Sequence, residues 1–286
     1  MAITGVGPLL AIDGPVPVAP PHSLVNTPGI VVDRDVGRWM NGVNLFGYPE
    51  DVPSLWAPCS EGTFEVKGEG GDMPVARFDP FAVYTPITCS TMGMGSAREF
   101  AGRAEIALEA TLSYGVEEGL AKGIPGQIGA GNVNPYFGDV DLVAVASGAA
   151  VLPLVGLSYL ENAIGATGRQ GVIHLTPAVA TAVGGELFFV ENESGNAIVF
   201  TASGNLVVIG DGYIGTDPDG EAAPGDGQDW IFATGPVEVR IGPLVFNDLA
   251  ETLERSTNDV TFRAERHILA TWDTALQTGA LVDWAP

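Results

Sequence analysis

The chain has 286 residues, 46% of them hydrophobic and only 16% charged, with a formal net charge of −23. That length is enough for one large or two moderate domains with a sizeable core. With 12 basic against 35 acidic side chains and only two lysines, Lys67 and Lys122, the chain as a whole cannot bind nucleic acid by neutralising phosphates, and no run approaches the roughly 20 apolar residues of a membrane span.

Residues 1–50 read as an arm. Pro8, Pro15, Pro17, Pro20, Pro21 and Pro28 deny it regular structure, and its apolar residues show no helical period. Trp39, Leu45, Phe46 and Tyr48 give it groups to bury, so the arm is expected to lie over another surface. The opening Met-Ala-Ile-Thr-Gly lacks a basic n-region, which makes synthesis in the cytoplasm the expectation.

Residues 51–93 read as a long β-hairpin. Thr63 to Lys67 alternate, Gly68-Glu-Gly-Gly-Asp72 is a strong turn signal, and Met73, Val75, Arg77 and Phe78 run back toward Tyr84 and Ile87. A tip so polar and rich in glycine has little to pack on its own chain, so the hairpin reads as an extended flap.

Ser96 to Gly123 is the longest helical pattern. Phe100, Ala104, Leu108, Leu112, Val116 and Leu120 recur every fourth residue and lay an apolar stripe along one side. Ser96 with Glu99 forms a capping box, Gly123 a stop, and Lys122 suits the negative end of the macrodipole. At 1.5 Å per residue this rod would be roughly 40 Å long, a spine rather than one member of a bundle.

A Gly/Asn-rich linker follows, from Ile124 to Asp139. Pro153 to Ile164 has helical spacing, Gly171 to Leu175 is a short strand, and Thr176-Pro177 starts a helix that Gly184-Gly185 ends. Leu187 to Val190, Ala197 to Phe200, Asn205 to Ile209, Trp230 to Thr234 and Val237 to Ile241 read as strands, with an acidic loop from Asp217 to Asp229 among them. Asp259 to Trp272 and Ala275 to Val282 read as two strands, or one long bent one, returning to the spine.

The chemistry-bearing residues are sparse. His22, His174 and His267 lie in separate segments with no second ligand at metal spacing, so no metal is expected, and His174 on its strand reads as a packed, hydrogen-bonded side chain. Cys59 and Cys89 are far apart and in no metal spacing; they read as free, partly buried thiols, with a bridge between them as the alternative. Gly165 to Gly171 lacks the Gly-Lys-Ser/Thr ending of a phosphate loop and precedes a strand; a turn explains it better. The acidic loop fits a calcium template only in part, and a solvated loop is the better reading. No nucleophile elbow or kinase motif is present, so no cofactor and no soluble enzyme is expected.

The order of parts, arm, long hairpin, spine helix, αβ region and returning strand, resembles the Hong Kong 97-type major capsid protein of tailed bacteriophages, a fold shared with encapsulins. Phe78-Asp-Pro-Phe-Ala-Val-Tyr84, Arg103-Ala-Glu-Ile-Ala-Leu-Glu109 and Val116 to Gly123 look like the end of that family's E-loop and its spine helix. Tyr159-Leu-Glu-Asn-Ala-Ile164 with Gly171 to Pro177 looks like its A-domain, and Asn258 to Arg266 like its final P-domain strand. The resemblance covers most of residues 50–286.

It implies an α+β, Hong Kong 97-like capsid fold: N-terminal arm 1–50, E-loop hairpin 51–93, P-domain spine helix and linker 94–139, A-domain 140–250, and returning P-domain strands 251–286. It implies a structural protein of the virion, assembled in the host bacterial cytoplasm. The partners are copies of itself in hexamers and pentamers of an icosahedral shell around double-stranded DNA, with scaffold, portal and decoration proteins beside them. An encapsulin-like compartment is the alternative within the fold; a non-catalytic decoration or tail protein, β-rich and without a long spine helix, is the alternative outside it. In the type member a lysine on the E-loop forms an isopeptide bond with an asparagine of a neighbouring subunit while a glutamate removes the proton. The matching positions are Lys67, Asn258 and Glu265. A buried carboxylate of raised pKa could serve as that base, whereas a surface ion pair at Lys67 and a strand start at Asn258 is the plainer reading.

Overall fold

The computed structural model describes residues 14–28, 30–33, 38–47, 74–89, 97–125, 134–139, 141, 143–146, 148–191, 197–218, 223–246, 253–254 and 259–285. In chain order the first elements are β1 (Val31–Asp33), β2 (Val43–Phe46), β3 (Val75–Phe78), β4 (Phe81–Cys89) and the long helix α1 (Ala97–Lys122). Next come β5 (Ala144–Val145), α2 (Pro153–Ala166), β6 (Val172–Leu175), α3 (Pro177–Ala182), β7 (Phe188–Glu191), β8 (Ala197–Phe200) and β9 (Leu206–Ile209). A 3-10 turn, Asp211–Tyr213, leads to β10 (Gln228–Thr234), β11 (Val237–Phe246), β12 (Leu253–Glu254), β13 (Asp259–Trp272) and β14 (Gln277–Asp283).

The apolar stripe of the spine is the face it buries. Ala104, Leu108, Leu112, Val116 and Leu120 are all buried, and Phe100 stacks on Phe262 of β13 with ring centroids 5.8 Å apart. Gly123, at φ +79°, takes the left-handed conformation that ends the helix. The expected cap, Ser96, lies outside the described residues.

α1 lies on a five-stranded sheet in which β13 is central. β13 pairs antiparallel with β4 from Val260↔Cys89 to Ile268↔Phe81, and with β11 from Val237↔Trp272 to Phe246↔Ala264. The β11 register shifts between Ile241 and Leu244, where Pro243 has no N–H to give the ladder. Arg266 Nη1 instead donates to the Gly242 carbonyl at 2.9 Å.

A seven-stranded sheet runs β5-β14-β10-β6-β9-β8-β7. β6 and β9 are parallel and β10 is antiparallel to both β6 and β14. α2 covers this sheet with Leu157, Leu160 and Ile164, packed in one core with Ile173, Ile231 and Val282. Thr176 caps α3, its Oγ1 accepting from Val179 N, and Pro177 follows at the first helical position.

Three expectations need correction. The arm is not structureless where it is described: Leu24, Ile30 and Trp39 are buried in the spine's own core, β1 runs parallel to β11, and β2 pairs with β3. Proline forbids long elements there but not three-residue strands or single apolar plugs, and these need no period. The segment 134–139 is no loose linker either: Phe137 is fully buried and donates its N–H to Leu120 O at 2.7 Å. Finally, β11 belongs to the spine's sheet although it falls within 140–250, and β14 belongs to the seven-stranded sheet although it falls within 251–286. The chain crosses between the two sheets twice, from β10 to β11 and from β13 to β14, a non-local pairing that strand patterns alone do not encode. The first strand of the expected hairpin, Thr63 to Lys67, and its turn lie outside the described residues.

Candidate assembly surfaces and the buried joint

Of the three residues implied in a crosslink, Lys67 and Asn258 lie outside the described residues. Glu265 is on β13, opposite Tyr84 of β4 and Val245 of β11. Its oxygens lie 3.5 Å from Arg263 Nε and 3.8 Å from His267 Nε2. Its described neighbours thus include a guanidinium and an imidazole rather than an apolar seat alone. Among the described residues no cluster of His, Cys, Asp and Glu could hold a metal ion. In the acidic loop Asp229 turns inward, where its Oδ2 accepts from Thr176 Oγ1 at 2.8 Å and from Trp284 Nε1 at 3.0 Å.

One buried polar residue was missed in the sequence. Glu117, on α1, is 1% exposed. Its Oε1 accepts from Leu24 N at 2.8 Å and from Ser113 Oγ at 3.0 Å, and its Oε2 from Gly212 N at 3.1 Å. Ser113 Oγ in turn accepts from Val25 N at 3.0 Å. One carboxylate therefore fastens the strap at residues 22–27 and the turn at 211–213 to the spine. Burial raises its pKa, the two backbone N–H groups and the Ser113 hydroxyl pull it down, and the nearby Asp211 charge pushes it up. The turn can come this close only because residue 212 is glycine: a methyl there would meet Tyr114 O at 2.6 Å and Glu118 N at 2.7 Å. The available signal was that Ser113 and Glu117, four apart, flank the stripe residues Leu112 and Val116; a carboxylate so placed must be buried or at the edge of burial.

The same turn reaches the other sheet. His174, on β6, is fully buried, as its reading as a packed side chain requires. Its Nδ1 lies 3.0 Å from Tyr213 Oη and its Nε2 3.0 Å from Thr234 Oγ1. Thr234 gives its own proton to Gly235 O, so Nε2 donates to Thr234 and Nδ1 accepts from Tyr213. Burial lowers the His174 pKa to about 3 and keeps the ring neutral. Phe137 packs against His174, Tyr213, Phe232 and Trp272. Phe137 and the 211–213 turn thus join the spine layer to the seven-stranded layer.

The surface carries apolar groups that this fold leaves uncovered. Phe188, Phe189 and Val190 on β7, Leu152 before α2, and Leu154, Val155 and Tyr159 on it are exposed. A groove of about 630 Å³ lies among Leu45, Phe46, Pro236, Val237 and Trp272. No helix is long and apolar enough to cross a membrane among the described residues.

No protein-family model matches this chain, and no curated protein matches it in sequence. Solved structures do match. The capsid of an empty GTA particle aligns over 96% of this chain and 100% of its own, at TM-score 0.51 and 13% identity. The capsid of the native GTA particle aligns over 95% and 99%, at 0.50 and 16%. This chain has the Hong Kong 97-type capsid fold. The holo-SrpI encapsulin complex from Synechococcus elongatus PCC 7942 is a looser likeness, at TM-score 0.46 and 12% identity over 81% of this chain and 86% of the encapsulin.

Proposed function

We propose that this chain is the major subunit of a protein shell: it assembles with copies of itself into the hexamers and pentamers of an icosahedral phage head that encloses double-stranded DNA. The observation that carries the reading is the whole-length match to assembled capsids in a chain that leaves large apolar side chains in solvent. Burial of those groups between copies drives assembly. The division into arm, E-loop, P-domain and A-domain belongs to this reading, with the strands reassigned as above. With a net charge of −23 the wall holds packaged DNA without binding it, so the DNA can leave. The tail or decoration reading required the absence of a long spine helix, and α1 has 26 residues.

Negative-stain microscopy of the purified protein tests this. Closed shells or capsomers are expected; a monodisperse monomer at high concentration overturns it. Nuclease-protected DNA in particles from infected cells separates a phage head from an encapsulin-like compartment. The Lys67–Asn258 crosslink with Glu265 as base is part of the same proposal, and denaturing gels of particles test it. Covalent ladders are expected in the wild type and none with Lys67→Ala; particles without ladders in either remove the crosslink and leave the shell.

A further inference from the structure

The chain contains a single Asn-Gly pair, Asn41-Gly42. It stands where the arm's 3-10 turn, Arg38–Asn41, passes into β2. Asparagine is a thermolabile residue, and glycine after it is the most permissive neighbour. With no side chain to shield it, the glycine nitrogen can close a succinimide ring onto the asparagine amide. Asn41 is exposed, and no described residue bonds its side-chain amide.

Two features of the fold bear on that ring closure. The first restrains it. The Gly42 N–H donates to Trp39 O at 2.9 Å, and Trp39 is buried in the spine's core. While the turn stays closed the nitrogen keeps its proton in that bond, and the attack geometry has to wait for the turn to open. The second is a lack of room beyond the glycine. Gly42 takes φ +82°, and even a methyl group on it would collide with Asp79 Oδ1 and come within 3.1 Å of Phe78 O. Asp79 is fixed from several sides. Its Oδ1 accepts from Arg77 Nε at 3.1 Å and Nη2 at 2.9 Å, and the Asn134 amide bonds its backbone N–H and C=O at 2.7 Å each. Val43 pairs with Phe78 directly afterwards, as the first rung of the β2–β3 ribbon.

We propose that Asn41-Gly42 is a self-modifying site that records release of the arm. When the turn opens, the Gly42 nitrogen attacks Asn41 Cγ. The N–Cγ bond forms as the Cγ–Nδ2 bond breaks, and the amide leaves as ammonia with the former Gly42 proton. Water then opens the succinimide. Cleavage at Cγ leaves aspartate; cleavage at the main-chain carbonyl leaves isoaspartate, whose backbone runs through Cγ and is one atom longer. No co-reactant besides water is needed. The added backbone atom has to fit against Phe78 and the fixed Asp79, where a methyl group does not. An isoaspartyl arm therefore cannot re-form the join into β2–β3, and its release becomes permanent. This chemistry is independent of the shell reading.

The full chain is aged at neutral pH, folded and in urea, then cut with trypsin, and the peptide 39–67 is followed by mass spectrometry. Fragmentation tells Asn41 from Asn44, and an isoaspartyl methyltransferase scores isoaspartate. Asn41 is expected to lose ammonia in both samples, at least about tenfold more slowly when folded, because only the opened turn reacts. Trp39→Ala, folded, should close most of that gap. If that variant does not fold, wild type in urea below its unfolding midpoint takes its place: the Asn41 rate should rise in step with hydrogen exchange at the Gly42 amide. Chains carrying isoaspartate at 41 are expected to lose hydrogen-exchange protection across β2 and β3, while Asn41→Asp, with a backbone of ordinary length, keeps it. No reaction at Asn41 in urea, or equal rates in the folded and unfolded chain, would overturn the site. Full protection of β2 and β3 in isoaspartyl chains would overturn its role as a record of release.

Discussion

The Glu117 socket and the His174 pocket are two buried polar centres on either side of the same 211–213 turn, and they solve the cost of burial in opposite ways. Glu117 has backbone N–H groups converging on it from two segments, 22–27 and 211–213. His174 has only two hydroxyl oxygens, from Tyr213 and Thr234, and stays neutral. A dry N–H needs an acceptor, and one carboxylate can serve several that come from different parts of the chain. An imidazole between two hydroxyls completes a local network and needs no charge. The spine centre thus ties distant segments, while the sheet centre fills a hole in one layer.

The strongest way to break this comparison is to remove what both centres share. Phe137→Ala empties a fully buried ring site that touches His174 and Tyr213 directly. We expect a loss of about 4 kcal/mol in urea unfolding followed by tryptophan fluorescence. Recovery of more than half of wild-type stability in Phe137→Leu would show volume, rather than ring stacking, to be what the joint needs.

Next is Glu117→Ala, which leaves Leu24 N, Gly212 N and the Ser113 hydroxyl without their acceptor. The expected loss is about 3 kcal/mol, with Glu117→Gln losing less because an amide oxygen can still take one of the donors. Hydrogen exchange should report it locally: the amides of residues 22–27 lose protection in Glu117→Ala before those of β6 do. Equal loss in both places would mean that the carboxylate fastens nothing in particular.

Acid separates the two centres by sign. The folded pKa of His174, about 3, lies below its ordinary 6.5. Its contribution to stability is complete above pH 6.5 and is lost as the pH falls toward 3. Glu117 has a raised folded pKa, so its contribution is full below its ordinary 4.5 and shrinks as the pH rises through the folded value. The urea midpoint of wild type should fall between pH 7 and pH 5, and His174→Gln should fall less steeply over that range. Identical slopes in the two proteins would place the acid sensitivity elsewhere.

The sequence carried the spine, because a stripe repeating every fourth residue has one physical meaning, and it carried most strands in order. It did not carry which sheet each strand joins. Val237 to Ile241 and Gln277 to Val282 have similar patterns, and only their partners Trp272 and Trp230, far off in the chain, tell them apart. Glu117 was illegible for a related reason. A glutamate on a helix is normally solvated, and its four-residue spacing from Ser113 gains meaning only when Leu24 and Gly212 arrive from 93 and 95 residues away. Of the candidate site, Glu265 could be placed, and its recognition came from resemblance rather than from its surroundings.

The same helix supplies the mildest test. Glu109 stands two turns before Glu117 but at the rim, and it meets Arg266 of β13, whose Nε and Nη2 both approach its Oε1 at 2.6 Å. The Arg266 side chain is largely covered and the Glu109 carboxylate is not, at 15% and 38% exposed. Solvent reaches the carboxylate from outside, so the pair gains little over two hydrated ions. Glu109→Gln should therefore cost at most about 1 kcal/mol, and less in high salt, where Glu117→Gln should be indifferent to salt. Arg266→Ala should cost more than Glu109→Gln, because it also strips the Gly242 carbonyl of the donor that stands in at the β11 irregularity. If instead Glu109→Gln proved as damaging as Glu117→Gln, the number of backbone donors a carboxylate collects would not be what sets its worth on this spine.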